Sequence, residues 1–340
     1  MKHLRWGLLA AGNIAGKFAK GLNTLGEATA LAVGSRDLQK ARQFAQTHGL
    51  ARAYGSYEEL LADKDVDAVY ISTPNSLHAE WSIKAARAGK HVLCEKPVTA
   101  NLDELKKVLA VVRTCRVFFM EAFMYRCHPQ WKKLGEIVKA GAIGEVRILE
   151  SSFAFNMGLQ LQNIRLSNPL AGGALMDVGC YCVSFCRLAA GQEPVEAKAV
   201  AYLGKEGRVD YQTSGLLRFP SGAVAHFACA TQCGTPTAAR VYGSQGSITV
   251  VNPWFPPLGK TPLVVAAGGK QQTIEVECGH ELYAKEALTV AQYLDAQAAP
   301  AMSWEDSLGQ MRALDMLRAD MQLVFDGEKP AARGKKKPRR

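Results

Sequence analysis

Two short apolar runs in the first third of the chain constrain its fold more than any other feature. Ala68 to Thr73 is β-rich and is stopped by Thr73-Pro74-Asn75, and His91 to Cys94 is a second such run, stopped by Glu95-Lys96-Pro97. Between them lies room for one helix. Strands that alternate with helices belong to a parallel sheet, and in an open parallel sheet ligands collect beyond the carboxyl ends of the strands. Thr73, Pro74, Asn75, His78, Glu95 and Lys96 are therefore expected to face one crevice.

The chain starts with the same pattern. Leu4 to Leu9 reads as an apolar strand, and Ala10-Ala11-Gly12-Asn13-Ile14-Ala15-Gly16 opens a helix expected to run to about Leu25. In the Gly-x-Gly-x-x-Gly/Ala fingerprint the first glycine allows a tight turn, the second lets backbone approach a pyrophosphate, and the third permits close helix packing. Here those places hold Ala10, Gly12 and Ala15, so Ala11, Gly12, Asn13 and Ile14 are the residues expected on the phosphates. A second strand, Ala28 to Ser35, ends at Gly34-Ser35-Arg36-Asp37. An NAD enzyme places an acid about there, roughly twenty residues past the glycine turn, on the ribose 2′-hydroxyl. Ser35 and Arg36 suit a 2′-phosphate instead, because a guanidinium fork donates two charge-assisted hydrogen bonds to it. The pattern favours NADP over NAD. The plainer reading leaves Arg36 solvated and makes Asp37 the cap of a helix over Leu38 to His48.

Several motifs, mutually in order, carry a resemblance to a known family. They are GLLAAGNIAGKF, GSRDLQKARQFAQTHG, AYGSYEELL, ISTPNSLHAEWSIKAARAGKHVLCEKP, MEAFMYRCHPQW, and GGALMDVGCYCVSF at residues 172 to 185. The chain resembles the Gfo/Idh/MocA oxidoreductases, and among them the dihydrodiol dehydrogenase-like branch, which also tolerates a non-glycine at the place of Ala10 and carries arginine at that of Arg36. The resemblance implies that Lys96, in the Glu-Lys-Pro motif, lies near the nicotinamide, and that the Lys96–Pro97 peptide is cis. A partly desolvated ammonium polarises a carbonyl or hydroxyl oxygen, and burial is expected to lower its pKa so that it can also trade protons near neutral pH.

By the same resemblance Asp177 and Tyr181 complete the catalytic set. If their segment is helical, as the apolar spacing into Val183, Phe185 and Leu188 suggests, residues four apart lie on one face. Aspartate then orients and tyrosine transfers. Many family members hold histidine at the place of Tyr181, so this chain departs from the inositol dehydrogenase pattern. A phenol has an unperturbed pKa of about 10 and needs a nearby cation such as Lys96 to act as a base at neutral pH. Both Lys96 and Tyr181 stay open as the source of the final proton. A buried tyrosine hydrogen-bonded to Asp177 is the structural alternative.

The remaining chain reads as a second domain. Strands are expected over Glu145 to Phe155, Glu196 to Leu203, Gln212 to Phe219, Ala223 to Thr231, Arg240 to Tyr242, Ser247 to Val251 and Leu263 to Ala266, joined by Gly, Pro and Asn turns, with helices over Tyr283 to Ala296 and Trp304 to Phe325. The fold class is α/β: an N-terminal Rossmann parallel sheet over residues 1–120, then a C-terminal α+β domain over 121–328 with a large, mostly antiparallel open sheet. One face of that sheet needs a cover, and the resemblance implies another subunit, so a homo-oligomer, a dimer first, is expected. Tyr125 and Arg126, after the strand Val117 to Met120, are the candidates for substrate contact, with Asn156, Arg165 and Asn168 in the loop before Gly172. Glu121 and His128, beside them, fit a structural role at the domain junction.

Charge and cysteine usage narrow the partners. The net charge is +10, but Lys329 to Arg340 holds seven basic residues and no acid, which leaves about +3 for the body. That tail, residues 329–340, is expected to be disordered. No groove-reading motif or basic-aromatic stripe points to nucleic acid. Nine cysteines, mostly in apolar runs, fit reduced thiols in a cytoplasmic protein, and their spacing gives no metal site. No apolar stretch is expected to reach transmembrane length, and the first apolar run is needed as a strand rather than a signal. Two classes remain. One is an NADP-dependent oxidoreductase moving a hydride between the nicotinamide and a secondary alcohol or carbonyl of a sugar, polyol or vicinal diol. The other is a cofactor-bound sensor of the same fold without turnover, which would have no need to keep Lys96, Asp177 and Tyr181 together.

Overall fold

The protein is described as a computed structural model covering residues 3–328. The basic tail lies outside the described residues. Six strands form the first sheet: β1 (Leu4–Leu9), β2 (Ala28–Gly34), β3 (Arg52–Tyr54), β4 (Ala68–Ile71), β5 (His91–Glu95) and β6 (Phe119–Ala122). They pair in the order β3-β2-β1-β4-β5-β6, every pair parallel. Helices α1 (Asn13–Leu22), α2 (Leu38–His48), α3 (Tyr57–Ala62), α4 (His78–Arg87) and α5 (Leu102–Cys115) connect them. All four residues of β4 are buried, as a strand covered by helices on both faces requires. Strand order reverses between β1 and β4, and a crevice opens at such a switch point beyond the carboxyl ends.

After helix α6 (Pro129–Lys139), the second sheet takes in β7 (Val146–Ala154), β8 (Glu196–Leu203), β9 (Asp210–Arg218), β10 (Val224–Ala230), β11 (Ala238–Gly243), β12 (Gly246–Val250), β13 (Gly259–Ala267) and β14 (Lys270–Cys278). Its order is β14-β13-β12-β11-β7-β10-β9-β8, antiparallel throughout except for β7 with β10. Helix α7 (Cys180–Ala190) packs on β7, and α8 (Leu282–Gln292) and α9 (Trp304–Asp320) follow. The fold class read from the sequence holds: a Rossmann sheet followed by a mostly antiparallel one.

Four details differ from expectation. β6 runs on to Ala122, so Glu121 belongs to the first sheet and the break expected after residue 120 falls inside a strand. β3 and β14 are strands beyond those the sequence predicts. β3 has only three residues, and most of β14, KQQTIEVEC, is exposed at the sheet edge and lacks an apolar run. The last helix stops at Asp320, short of Phe325. Finally, Asn168–Ala190 is long and apolar enough to cross a membrane, against the expectation that no stretch is, but 83% of its apolar 18-residue window is buried within the fold. It is a core segment shared between two layers.

The two layers interlock through their last helices. α8 packs against α1, and α9 against α5. Gly21 of α1 makes the first contact possible, since a Cβ there would lie 2.8 Å from the Ala284 nitrogen.

Candidate active site

The turn after β1 shows why its fingerprint asks for glycine. Ala10 adopts φ +82°, a conformation that L side chains rarely take, and its N–H donates to Gly34 O at 3.1 Å. Gly12 precedes α1 as its N-cap, and a Cβ built on it would meet nothing within 4 Å. The space above the turn is open, and the first N–H groups of α1, from Asn13 and Ile14 on, lack intrahelical partners, as at any helix start. At the end of β2, Ser35 is buried and its Oγ accepts the Asp37 N–H at 3.2 Å. Asp37 caps α2, accepting from Gln39 and Lys40. Arg36 is exposed beside it and forms no ion pair among the described residues. Open space over a glycine turn, a helix N-terminus and an exposed guanidinium at the next strand end fit a dinucleotide with a phosphorylated ribose.

Past β4 and β5 two turns meet. His78 is buried, with Nε2 2.8 Å from Thr73 O and Nδ1 2.9 Å from Pro97 O, so it ties the turns to each other. Burial, resisted by those carbonyls, pushes its imidazole down to about 4. This corrects its expected place on the cofactor: both ring nitrogens lie against main-chain carbonyls, and the neutral ring donates to one of them. Thr73 is buried as well, whereas Pro74 and Asn75 are partly exposed, and Asn75 Nδ2 donates to Ala171 O at 2.8 Å. The Lys96–Pro97 peptide is cis. Glu95 accepts a hydrogen bond from Tyr70 and one from its neighbour's N–H, Lys96 N to Oε2, at 3.2 Å.

Lys96 reaches across to the second domain. Its Nζ donates to the Asp177 main-chain oxygen at 2.7 Å and approaches Oδ1 at 3.4 Å, and it lies 5.1 Å from the centroid of the Tyr181 ring. Asp177 Oδ2 accepts from Arg165 Nε at 2.6 Å. Asp177 sits in a π-helical turn, Leu175–Gly179, that leads into α7. Such turns are rare and gather at functional sites. Lys96, Asp177 and Tyr181 therefore converge, but not as a uniform helix would present them. The aspartate pairs with two cations rather than with tyrosine, and the Tyr181 hydroxyl is turned inward, 3.4 Å from Met124 Sδ.

The electrostatics reverse two expectations. Burial works to lower the Lys96 ammonium, yet Asp177, Cys180 and Glu95 more than offset it, and the group is held above its ordinary value. Burial, reinforced by Glu95, holds the Tyr181 phenol well above 10, so the nearby cation does not make it a base. Burial also pushes Asp177 up, but Lys96 and Arg165 override that and hold it below the usual range. At neutral pH the trio is an ammonium, a carboxylate and a neutral phenol.

The other candidates separate clearly. Arg165 lines the small cleft with Asn75, Ile164, Leu170, Gly172 and Asp177. Tyr125 is fully buried, edge-on to Phe123, Trp131 and Trp254, and touches the site through its contact with the Tyr181 ring at 5.4 Å. Arg126 is buried too, donating to Ser184 Oγ at 3.0 Å and paired with Asp306. Both were expected on substrate, and both are core residues, because α9 supplies the acid that neutralises Arg126. Asn156 is exposed and accepts from Gly158 N–H in its own turn. Asn168 is buried and ties Arg208, Val324 and Asp326 together through hydrogen bonds. Glu121 and His128 are structural: Glu121 accepts from Val98 N–H and Ser307 Oγ, and His128 caps α6. Sequence reading passed over the aromatic wall, in which Phe153 and Trp254 lie 5.3 and 5.8 Å from the Tyr181 ring. Its signal is the Asn252-Pro253-Trp254-Phe255 run after β12.

Comparison with known proteins agrees with this geometry. Residues 4–123 match the GFO/IDH/MocA oxidoreductase family with its NAD-binding Rossmann fold, and residues 131–249 match the GFO/IDH/MocA C-terminal domain. The chain is 37% identical to a D-xylose 1-dehydrogenase (NADP(+)) of Haloferax volcanii over 92% of its own length and 96% of that protein. It is 37% identical to the trans-1,2-dihydrobenzene-1,2-diol dehydrogenase of Mus musculus over 79% of each. A 3-ketoreductase from Actinomadura kijaniata, crystallised with NADP and TDP-benzene, superposes with a TM-score of 0.86 at 29% identity, covering 93% of this chain and 97% of that one. The chain belongs to the GFO/IDH/MocA oxidoreductases, on their dihydrodiol dehydrogenase-like branch, and is an NAD(P)-dependent dehydrogenase or reductase.

Proposed function

We propose that the protein transfers a hydride between NADP and a secondary alcohol or carbonyl of a sugar, polyol or vicinal diol. The observation that carries this reading is the meeting of Lys96, Asp177 and the Tyr181 ring at the carboxyl end of β5, on the nucleotide side of the crevice. The relatives that act on xylose and on a cyclic diol support the substrate class, and the NADP named with two of the similar proteins supports the cofactor. Ala11, Gly12, Asn13 and Ile14 would hold the pyrophosphate, Ser35 and Arg36 the 2′-phosphate, and Thr73, Pro74, Asn75 and Glu95 the nicotinamide side. When bound, the nicotinamide supplies or accepts the hydride.

The chain's own part is to manage the oxygen. Lys96, charged and only 13% exposed at its side chain, polarises a carbonyl and donates the proton as the alcohol forms. Asp177 fixes the ammonium, and the Tyr181 ring caps it by cation–π contact. With its hydroxyl turned to Met124, Tyr181 supports the lysine rather than replacing it as the acid. Arg165 lines the space beyond, and the aromatic wall packs around the Tyr181 ring. The test is NADPH and NADH binding by tryptophan quenching, followed by a panel of sugars, diols and dicarbonyls. Tight NADPH binding with turnover is expected. Binding without turnover would turn the reading toward a sensor.

The outer face of the second sheet exposes Ile148, Val200, Tyr202, Leu216, Val224 and Tyr242, an apolar surface that a second copy of this chain would cover. Placing Glu at Leu216 is expected to shift the mass in light scattering from dimer to monomer. All nine cysteines are free thiols, which suits a cytoplasmic setting.

A further inference from the structure

Asp177 is divided unequally between two cations. Its Oδ2 is 2.6 Å from Arg165 Nε, whereas Oδ1 is 3.4 Å from Lys96 Nζ, whose shorter bond of 2.7 Å goes to the main-chain oxygen. The loop that carries Arg165 is pinned at its backbone. Arg165 N–H donates to Asn163 Oδ1 at 3.1 Å, and Arg165 O accepts from Gly173 N–H at 2.7 Å. Gly172 packs so tightly beneath that a Cβ would come within 2.6 Å of Arg165 O. The side chain, 39% exposed, is thus delivered from a fixed backbone onto a carboxylate that is 13% exposed.

We propose that Arg165 is a positioning residue for Lys96 that acts through Asp177. By holding Oδ2 it keeps the carboxylate from closing on the ammonium, and it leaves a lysine N–H free for the substrate oxygen. This rests on the assignment of Lys96 to that oxygen. Lys96 is faced by Asp177 and Cys180 from the π-turn and the start of α7, by the Tyr181 ring from α7, by Glu95 from β5, and by Arg165 from the loop. Arg165 is the cation in that set. Lys96 and Asp177 are each only 13% exposed, so their mutual attraction is weakly screened, whereas solvent screens part of the charge of the more exposed Arg165. Removing the guanidinium turns the full charge of Asp177 toward Lys96, which then holds its proton more firmly.

The test follows the Lys96 ammonium itself, in protein carrying 15N-lysine, with the signal assigned by its loss in Lys96→Met. Its titration is compared in the parent chain, Arg165→Gln and Arg165→Lys without substrate, with thermal melts to establish that each variant folds. Arg165→Gln is expected to move the Lys96 titration up by roughly 0.5 to 1 pH unit, with Arg165→Lys close to the parent. The pH profile of alcohol oxidation moves the same way. An unchanged Lys96 titration in folded Arg165→Gln overturns the proposal. A shifted titration in a protein that turns over no alcohol would uphold the electrostatic coupling and overturn the role of Lys96 at the oxygen.

Discussion

Lys96 and Asp177 stand 81 positions apart in sequence, yet the lysine Nζ donates to the aspartate's main-chain oxygen at 2.7 Å. The backbone acceptor anchors one N–H of the ammonium on the second domain, while the carboxylate at 3.4 Å balances its charge. Lys96→Met should therefore leave nucleotide binding nearly intact and lower turnover by a factor on the order of 10²–10⁴. Tyr181→Phe keeps the ring under the ammonium and loses only a hydroxyl that faces Met124. It should retain turnover within about tenfold, because the cation–π contact, worth about 0.5–2 kcal/mol, stays in place. Steady-state rates with matched quenching titrations check both. Comparable losses in the two variants would return the proton to Tyr181.

Arg36 offers the cleanest view of cofactor choice. It is exposed beside Ser35, while the neighbouring Asp37 spends its carboxylate capping α2. Arg36→Ala should weaken NADP by roughly 10- to 100-fold, the loss of about 1.5–3 kcal/mol from hydrogen bonds to a charged group. NAD should change little. Equal weakening of both nucleotides would place Arg36 away from the 2′-phosphate.

Ala10 carries backbone strain at the nucleotide turn, with φ +82°. For an L residue this conformation costs about 1–2 kcal/mol, and glycine relieves it at an entropic cost of about 0.4–1 kcal/mol. Ala10→Gly should give a net gain of roughly 0.5–1 kcal/mol, read as a higher melting temperature of the nucleotide-free protein. A lower melting temperature would show that the methyl group's packing outweighs the strain.

Glu121 makes the fold sensitive to pH. Burial, against hydrogen bonds from Ser307 and Val98, pushes its carboxyl up to about 7 from an ordinary 4.5. Between those values the folded chain binds a proton that the unfolded chain has lost, so stability falls as pH rises from about 4.5 and the loss is complete above about 7. The full effect is on the order of 3 kcal/mol. Glu121→Gln should flatten that slope in denaturant titrations across the window. A parallel slope in the variant would assign the pH dependence to other groups.

Much of this was legible in the sequence because it is local. The strand, turn and helix order of the first domain follows from runs such as Ala68–Ile71, whose apolar residues need no knowledge of distant partners. Lys96 was legible because it follows a strand and sits in the Glu-Lys-Pro motif. Arg126 was misread for the opposite reason: its partner Asp306 lies 180 residues away on α9, and nothing near Arg126 announces an acid there. His78 likewise looks like a cofactor contact until the Thr73 and Pro97 carbonyls are seen to face its two nitrogens. The ionisation of Tyr181 depended on which way its hydroxyl turned, and sequence spacing says nothing about that. β14 stayed hidden because an exposed edge strand can be built from Lys, Gln and Glu.

The close fit of α8 into α1, made possible by Gly21, bears on how this architecture can be taken apart. A segment that arrives after residue 280 buttresses the helix opened by the first dozen residues, so the nucleotide half is finished only when the chain is nearly complete. Grafting another substrate domain onto this nucleotide-binding half after Ala122 would strip α1 of its outer wall and expose the Gly21 face to water. A workable chimera must therefore bring α8 along with the first sheet, exchanging only the segment between.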